Sequence, residues 1–427
     1  MADTASKHID MTTGSLWRNI PLFAFPVAAT SILEQLSNLI ATVIIGNFSG
    51  DQGTLAMAAV GSNVPLTSLM INLFIGLSLG SNVVIANAIG RNDQNMVKRA
   101  VHTSILMALV GFVVIALGEI FAEPMLAALN VPDETMPLAS LYLRVFLLSM
   151  PSILLYNFEA AIFRSVGITR MPLQALAVST VLNIGLDLIF VPVLHWGVAG
   201  VAIATAIAYT VSAVTLFIRL LKTDSVVRVT PRDLGLDPVA LKRIVKIGLP
   251  AGIQSAVFAV ANIIIQSAIN SLGTEVMAAS SAAMSLEYVC YNLLNSFSQA
   301  CTTFVGQNHG ARQIDRCTKT LKVCLVEGGI VALTTIVIIV GLGREILSLF
   351  NSDPNIVSIG YFQSVERPRP AMAVTVLRGF VFMAACFFGL PLLLGVEGIW
   401  LAVPLAEALT FAVVAAIYGR TRLKSAF

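Results

Sequence analysis

The stretch GRNDQNMVKRAVHT at Gly90–Thr103 returns as GARQIDRCTKT at Gly310–Thr320, an offset of 220. The match runs on in both directions. LAALNVPD at Leu126–Asp133 answers ILSLFNSDP at Ile346–Pro354. GTLAMAA at Gly53–Ala59 answers GTEVMAA at Gly273–Ala279 at the same offset, and Pro26 and Asn38 answer Pro250 and Asn262 at an offset of 224. Further on, GVAG at Gly197–Gly200 and GVEG at Gly395–Gly398 are 198 apart, and FRSV at Phe163–Val166 and FQSV at Phe362–Val365 are 199 apart. A duplicated chain whose offset falls by about 22 residues has lost roughly one membrane-spanning helix.

Composition places these repeats in a membrane. The chain has 427 residues, 57% hydrophobic and 11% charged, with a mean hydropathy of +0.86. A soluble domain carries about 25% charged residues, so the bilayer must act as solvent here. Apolar runs at Ile105–Phe121, Leu173–Val193, Val198–Leu216 and Ile330–Leu342 approach or reach the ~20 residues a spanning helix needs. They do not alternate in polarity as ~10-residue barrel strands do. The polar N-terminus MADTASKHIDMTTGS lacks the charged-then-apolar order of a signal peptide. A net charge of +3, concentrated in loops, does not imply nucleic acid. Five scattered cysteines (Cys290, Cys301, Cys317, Cys324, Cys386) without Cys-x-x-Cys speak against disulfides and zinc.

The expected fold is an all-α integral membrane protein of two pseudo-symmetric helical bundles. Eleven spans are expected, near 17–46, 54–88, 100–121, 135–160, 171–194, 198–221, 244–270, 276–306, 321–342, 370–394 and 396–419. Residues 1–222 form an amino-terminal lobe of six helices. Residues 223–239 form a linker, and 240–427 a carboxyl-terminal lobe of five, with one apparently missing. Basic residues cluster at Arg91–Arg99, Arg164–Arg170, the linker and its flanks, and Arg312–Lys322. The alternate loops 47–53, 122–134, 195–197 and 271–275 carry no Lys or Arg. The positive-inside rule then puts the N-terminus and the linker in the cytoplasm. An even number of spans in the first half gives both halves one orientation, a parallel repeat. Residues 135–161 have almost no counterpart in the second half, so the final pair of helices inserts inverted or a segment near 342–370 is re-entrant.

An ionisable residue within a span marks a functional candidate. Asn183 and Asp187 are spaced i, i+4 and share a helix face. A carboxylate with an amide oxygen suits Na⁺ or a proton. Thr205 offers a hydroxyl. Glu34 and Asn38 repeat the i, i+4 spacing in the first span, and position 41, a turn later, is alanine. In the second half Glu287 is the candidate acid. Amide stripes accompany it: Gln254, Asn262 and Gln266 on span seven, and Asn292, Asn295 and Gln299 on span eight. These amides line a substrate path or bond helix to helix. Glu407 and Arg378 are weaker candidates nearer the irregular end. Pro26, Pro151 and Pro250 suit kinks. No G-x-x-x-x-G-K-[ST], G-x-S-x-G or H-E-x-x-H occurs, which speaks against ATP-driven pumps and enzymes.

The chain resembles the multidrug and toxic compound extrusion (MATE) family, most nearly its DNA-damage-inducible prokaryotic branch. The strings that carry the resemblance are NLIATVIIG (38–46), IANAIGRNDQNMVKRAVHTS (85–104), AAIFRSVGITRMPL (160–173), VLNIGLDLIFV (181–191), GVAGVAIAT (197–205), GLPAGIQSAVF (248–258) and FVGQNHGARQIDR (304–316). The resemblance implies a twelve-helix, two-lobed exporter of cationic or amphipathic compounds in the inner (plasma) membrane, driven by inward H⁺ or Na⁺. It has no other cofactor, no partner beyond substrate and membrane lipid, and works as a monomer. Asn183, Asp187 and Thr205 match the family's amino-terminal cation site. The family's first-helix aspartate falls at Ala41 and is absent, and the tenth helix is missing. Two other readings stay open: a lipid-linked sugar flippase of the same superfamily, and a non-transporting remnant or membrane scaffold.

Overall fold

In hydrocarbon every backbone donor and acceptor must be satisfied within its own segment, so apolar runs of this length fold as helices. The computed structural model describes residues 8–50, 53–129, 131–270 and 274–350; within its helices the side chains of 257–287, 336 and 339–350 are outside the description. Eleven α-helices follow in order: α1 (Leu16–Phe48), α2 (Gly53–Gly90), α3 (Gln94–Met107), α4 (Val110–Ala128), α5 (Met136–Leu147), α6 (Met150–Ser165), α7 (Arg170–Phe190), α8 (Gly197–Lys222), α9 (Pro238–Asn270), α10 (Thr274–Gly310) and α11 (Ile314–Phe350). A single 3-10 turn, Pro231–Asp233, lies between α8 and α9. No strand occurs among the described residues.

Two expected spans are each a pair of helices. The span near 100–121 is α3 and α4, and its helix begins earlier, where the Asp93 carboxylate caps Met96 N at 3.0 Å. The span near 135–160 is α5 and α6, bent by 46°. Pro151, at the start of α6, has no N–H to continue the ladder from α5. Helices α9, α10 and α11 also overrun their apolar windows, because a helix propagates through charged residues once outside the bilayer. Five helices among the described residues are long and apolar enough to cross a membrane, six with the bent pair. The spans expected at 370–394 and 396–419, the missing helix, Arg378 and Glu407 lie outside the described residues.

The chain divides into two compact units, residues 1–266 with 288–335, and residues 267–287 with 336–427. The first unit holds everything that follows. Its basic end is tied together by short segments. Lys98 pairs with Asp233 at 2.8 Å and Arg99 with Asp237 at 3.6 Å. Thr230 N donates to His102 Nε2 and Asp237 N to Thr103 Oγ1. The segment before α1 reaches both repeats. Ile9 N donates to Gly167 O, while Met11 O accepts from Asn308 Nδ2 and Arg316 Nε.

The duplication is visible in the backbone. Asn92 and Arg312, which hold equivalent places in the two repeats, both have φ of 59°. Asp93 N bonds Ala88 O, and Gln313 N bonds Asn308 O, in matching turns. Where α2 crosses α10 the contact is reciprocal. A Cβ on Gly90 would stand 1.9 Å from Gln307 O, and one on Gly310 would stand 2.2 Å from Asn87 O. Gly90 and Gly310 are equivalent positions of the repeat, and so are Asn87 and Gln307. Only a side chain of one hydrogen allows this approach. The two copies of the opening stretch therefore sit at the same end, as a parallel repeat requires.

Candidate functional site

Helix α7 is polar inside and apolar outside. Ser179, Thr180, Asn183 and Asp187 are buried on its inner face, while Val178 is 65% and Val181 73% exposed on its outer face. In water this pattern would be inverted. In lipid it buries the polar stripe away from hydrocarbon. The stripe faces α1 and α8. Ser37 Oγ on α1 donates to Asn183 Oδ1 at 2.9 Å.

Between these helices lies a cavity of about 30 Å³. Glu34, Ser37 and Asn38 come from α1, and Leu176, Ser179, Thr180 and Asn183 from α7. Thr205, Ala208 and Tyr209 from α8 complete it. Four of the five residues expected to form the cation site, Glu34, Asn38, Asn183 and Thr205, thus line one space. Asp187 sits one turn beyond Asn183, with 0% exposure. Neither carboxylate oxygen of Asp187, nor Asn183 Nδ2, has a hydrogen-bond partner among the described residues. A buried unsatisfied polar group costs about 1–3 kcal/mol, more when charged, which makes Asp187 and Asn183 the candidates for holding a bound ion or proton. Ala41 is buried at 8% exposure.

Drug-sized ligands need roughly 300–1,000 Å³. The cavity therefore suits a water or a small cation better than an organic substrate. Among the described residues no three His, Cys, Asp or Glu side chains are grouped for a transition metal. The oxygens here suit a hard cation or a proton instead.

The second-repeat candidates are placed unevenly. Gln299 is engaged, its Oε1 accepting from Arg164 Nη1 at 3.0 Å. Asn292 and Asn295 are half-buried and Gln254 is exposed. The side chains of Asn262, Gln266 and Glu287 lie outside those described.

Several buried charged residues join these candidates. Glu159 on α6 has 0% exposure, and neither of its oxygens is hydrogen-bonded among the described residues. It lies inside an expected span, so the rule that singled out Asp187 applies equally to it. Glu327 on α11 is buried at 7%, with Oε2 unpartnered, and the same rule applies. Arg164 reads as part of a basic turn, yet it belongs to the last turn of α6 and points inward to Gln299. Arg144, at the end opposite the basic one, is balanced by Glu119 at 3.8 Å and Glu123 at 3.2 Å.

The sequence profile of the MatE family matches residues 26–189 and 250–361. The chain belongs to the MatE family. Among its relatives, the probable multidrug resistance protein YoeA of Bacillus subtilis (strain 168) is 28% identical over 81% of this chain and 76% of its own length. An FAD transporter of Shewanella oneidensis is 24% identical over 78% of this chain and 77% of its own. A solved multidrug resistance MATE family transporter of the MOP superfamily, in its outward-facing conformation, superposes with a TM-score of 0.76 at 22% identity. That likeness covers 99% of both chains and concerns the fold. The MatE fold is an all-helical bundle of two repeats, and membership makes this chain a membrane transporter rather than an enzyme.

Proposed function

We propose that the protein is a secondary active multidrug exporter, antiporting cationic or amphipathic compounds against H⁺ or Na⁺ by alternating access. The observation that carries this reading is the small cavity of Glu34, Ser37, Asn183 and Thr205 with the buried Asp187, unpartnered among the described residues, one turn away. A cation there lowers the energy of whichever conformation encloses it. The substrate, too large for the cavity, engages elsewhere, and the amides of α9 and α10 are the candidates. Each ligand shifts the equilibrium only by its differential affinity for the two conformations. The basic end, with the N-terminus and the linker, faces the cytoplasm of the plasma membrane, and the chain works as a monomer.

The relative named an FAD transporter suggests an anionic substrate. The acid that lines this cavity, Glu34, and the buried Asp187 one turn beyond Asn183 favour a cation instead. Ala41 favours a second reading, a chain with impaired coupling. One experiment separates them: uptake into everted vesicles of a cationic dye and of a flavin nucleotide, under imposed H⁺ or Na⁺ gradients. Gradient-dependent dye uptake that disappears in Asp187→Asn supports the antiporter. Flavin uptake alone, or no uptake by a well-expressed protein, rejects it.

A further inference from the structure

Residues 9–14, just before α1, form a strap that bridges the two repeats at the basic end. The turn between α6 and α7 holds it on one side. Ile9 N donates to Gly167 O at 3.4 Å, and a Cβ on Gly167 would stand 2.5 Å from Ile9 O. Two residues on, α10 and α11 hold it. Met11 O accepts from Asn308 Nδ2 at 3.0 Å and from Arg316 Nε at 3.2 Å. Arg316 Nη2 donates further to Thr13 O at 2.7 Å and to Gly14 O at 3.1 Å. Met11 itself is fully buried, in one apolar cluster with Ile20 and Phe23 of α1, Phe304 of α10 and Val323 of α11.

The residues that hold the strap are departures from the repeat. At the offset of 220, Asn308 answers Ala88 and Arg316 answers Met96. Neither Ala nor Met can donate a hydrogen bond from its side chain. What Asn308 and Arg316 touch therefore accounts for the departure. A guanidinium carries its donors in a fixed fork, whereas a lysine offers a point charge, so one arginine gathers the carbonyls of residues 11, 13 and 14. Gly14, with φ of 71°, takes the left-handed conformation that glycine adopts without strain, and the carbonyls converge across that turn.

The strap has no slack. From Ile9 to Met11 the chain spans at most about 7 Å. It cannot follow if α10 and α11 move away from the α6–α7 turn by more than that, so one set of bonds must break. The Ile9 bond is single, long and neutral, whereas those from Arg316 have a charged donor and are the stronger set. Release of Ile9 alone frees nothing, because Gly14 runs straight on into α1, and α1 packs on α7 of the first repeat. The second repeat comes free of the strap only when Arg316 lets go.

We infer that Arg316 is a positioning residue that latches the basic end shut by fastening residues 11–14 to the start of α11. Asn308 assists it at Met11 O. Parting of α2 from α10 at this end, a step that alternating access requires, needs the guanidinium to release all its carbonyls. The inference rests on the alternating-access reading above.

Hydrogen exchange on the full-length protein in lipid nanodiscs, without added substrate, tests it. The substitutions are the residues that the first repeat already carries, Arg316→Met and Asn308→Ala. In Arg316→Met, exchange should quicken about tenfold at 86–90 on α2 and at 306–310 on α10, where the repeats cross. At the opposite end, at 53–60 on α2 and 197–204 on α8, it should stay within about twofold of wild type. Asn308→Ala should quicken the same crossing about threefold, and it carries the test if Arg316→Met does not fold. Arg316→Lys, which keeps the charge but loses the fork, should fall between wild type and Arg316→Met. Wild-type exchange at the crossing in both Arg316→Met and Asn308→Ala overturns the inference. Equal quickening at both ends overturns it too, since that is a general loss of stability. The readout needs no transported compound, so a failed latch is told apart from a failed exporter reading, which shows as absent uptake.

Discussion

Ser37 Oγ donates to Asn183 Oδ1 across 2.9 Å, and this bond sets the register of two parallel helices. Both α1 and α7 start at the basic end, where Ile9 N bonds Gly167 O. One turn beyond the bond, Ala41 on α1 stands level with Asp187 on α7. One turn before it, Glu34 stands level with Thr180. The acid of α1 and the acid of α7 thus lie on opposite sides of the Ser37–Asn183 bond, about two turns or ~10 Å apart along the axis. A single small cation contacts one of them, not both.

The register makes Ala41→Asp informative. It puts a second carboxylate level with Asp187, and two like charges in an enclosed site repel until a cation or proton enters. The variant should melt at a lower temperature than wild type without Na⁺ at neutral pH. It should recover more than wild type does when Na⁺ is added or the pH is lowered, since a ligand that binds only the folded state stabilises it by mass action. The half-saturating cation concentration should fall about tenfold, equal to about 1.4 kcal/mol. Equal responses to the ion in the two proteins would place residue 41 outside the site.

Asp187→Asn tests the other acid. The carboxylate has no hydrogen-bond partner among the described residues, so the amide forfeits no bond and keeps nearly the same volume. Its unfolding free energy should stay within about 1 kcal/mol of wild type, and the protein should reach the membrane. Gradient-driven efflux should disappear. Wild-type efflux by this variant would remove Asp187 from coupling and leave Glu34 as the candidate.

Much of this site was legible because bilayer physics makes polar residues rare inside spans. Asn183 and Asp187 announce themselves by their i, i+4 spacing in an apolar helix. The repeat motifs foretell the reciprocal crossing of α2 and α10. Tertiary placement was less legible. Glu34 and Thr205 belong to the first and the eighth helix, and no periodicity says that they share one cavity. Ser37, Ser179 and Tyr209 line it while looking like ordinary helix-surface residues. Arg164 reads as a loop charge in the sequence, because a count of basic residues records how many lie near a membrane face and not which way each points. The bend at Leu148–Ser149 and the break at Ala108–Leu109 also escape a hydropathy window, which averages across them.

The close approach of α2 and α9 makes a steric prediction. A Cβ on Gly80 would stand 2.4 Å from Ile244 O, and one on Gly248 would stand 2.7 Å from Leu77 Cα. These neighbours are backbone atoms and cannot rotate away. Gly80→Ala and Gly248→Ala should each destabilise the protein by about 1–3 kcal/mol through overpacking. Gly61 and Gly185 have nothing within 4 Å of the same construction. There alanine should be neutral, or stabilising by up to about 1 kcal/mol from helix propensity. Thermal unfolding in detergent compares the four. Equal effects at all four positions would mean that α2 and α9 do not pack this closely.

The segment before α1 carries a pH signature. Asp10 accepts from Thr12 N and Thr13 N, and from the hydroxyls of Thr12 and Thr13. These bonds, that of the Thr13 side chain first, hold its carboxyl down at about 2. A depressed carboxyl contributes stability that is fully present above its unfolded value of about 3.9 and is lost as the pH falls through the folded value. Asp10 is exposed, so solvent screening limits the contribution to roughly 1 kcal/mol. The turn it holds positions Met11 O for Asn308 and Arg316. Asp10→Ala should therefore speed hydrogen exchange and proteolysis of residues 8–15 about fivefold at neutral pH. Wild type and variant should converge as the pH drops from about 4 toward about 2. A difference that persisted unchanged at the acid end would assign the effect to packing rather than to the ionised carboxylate.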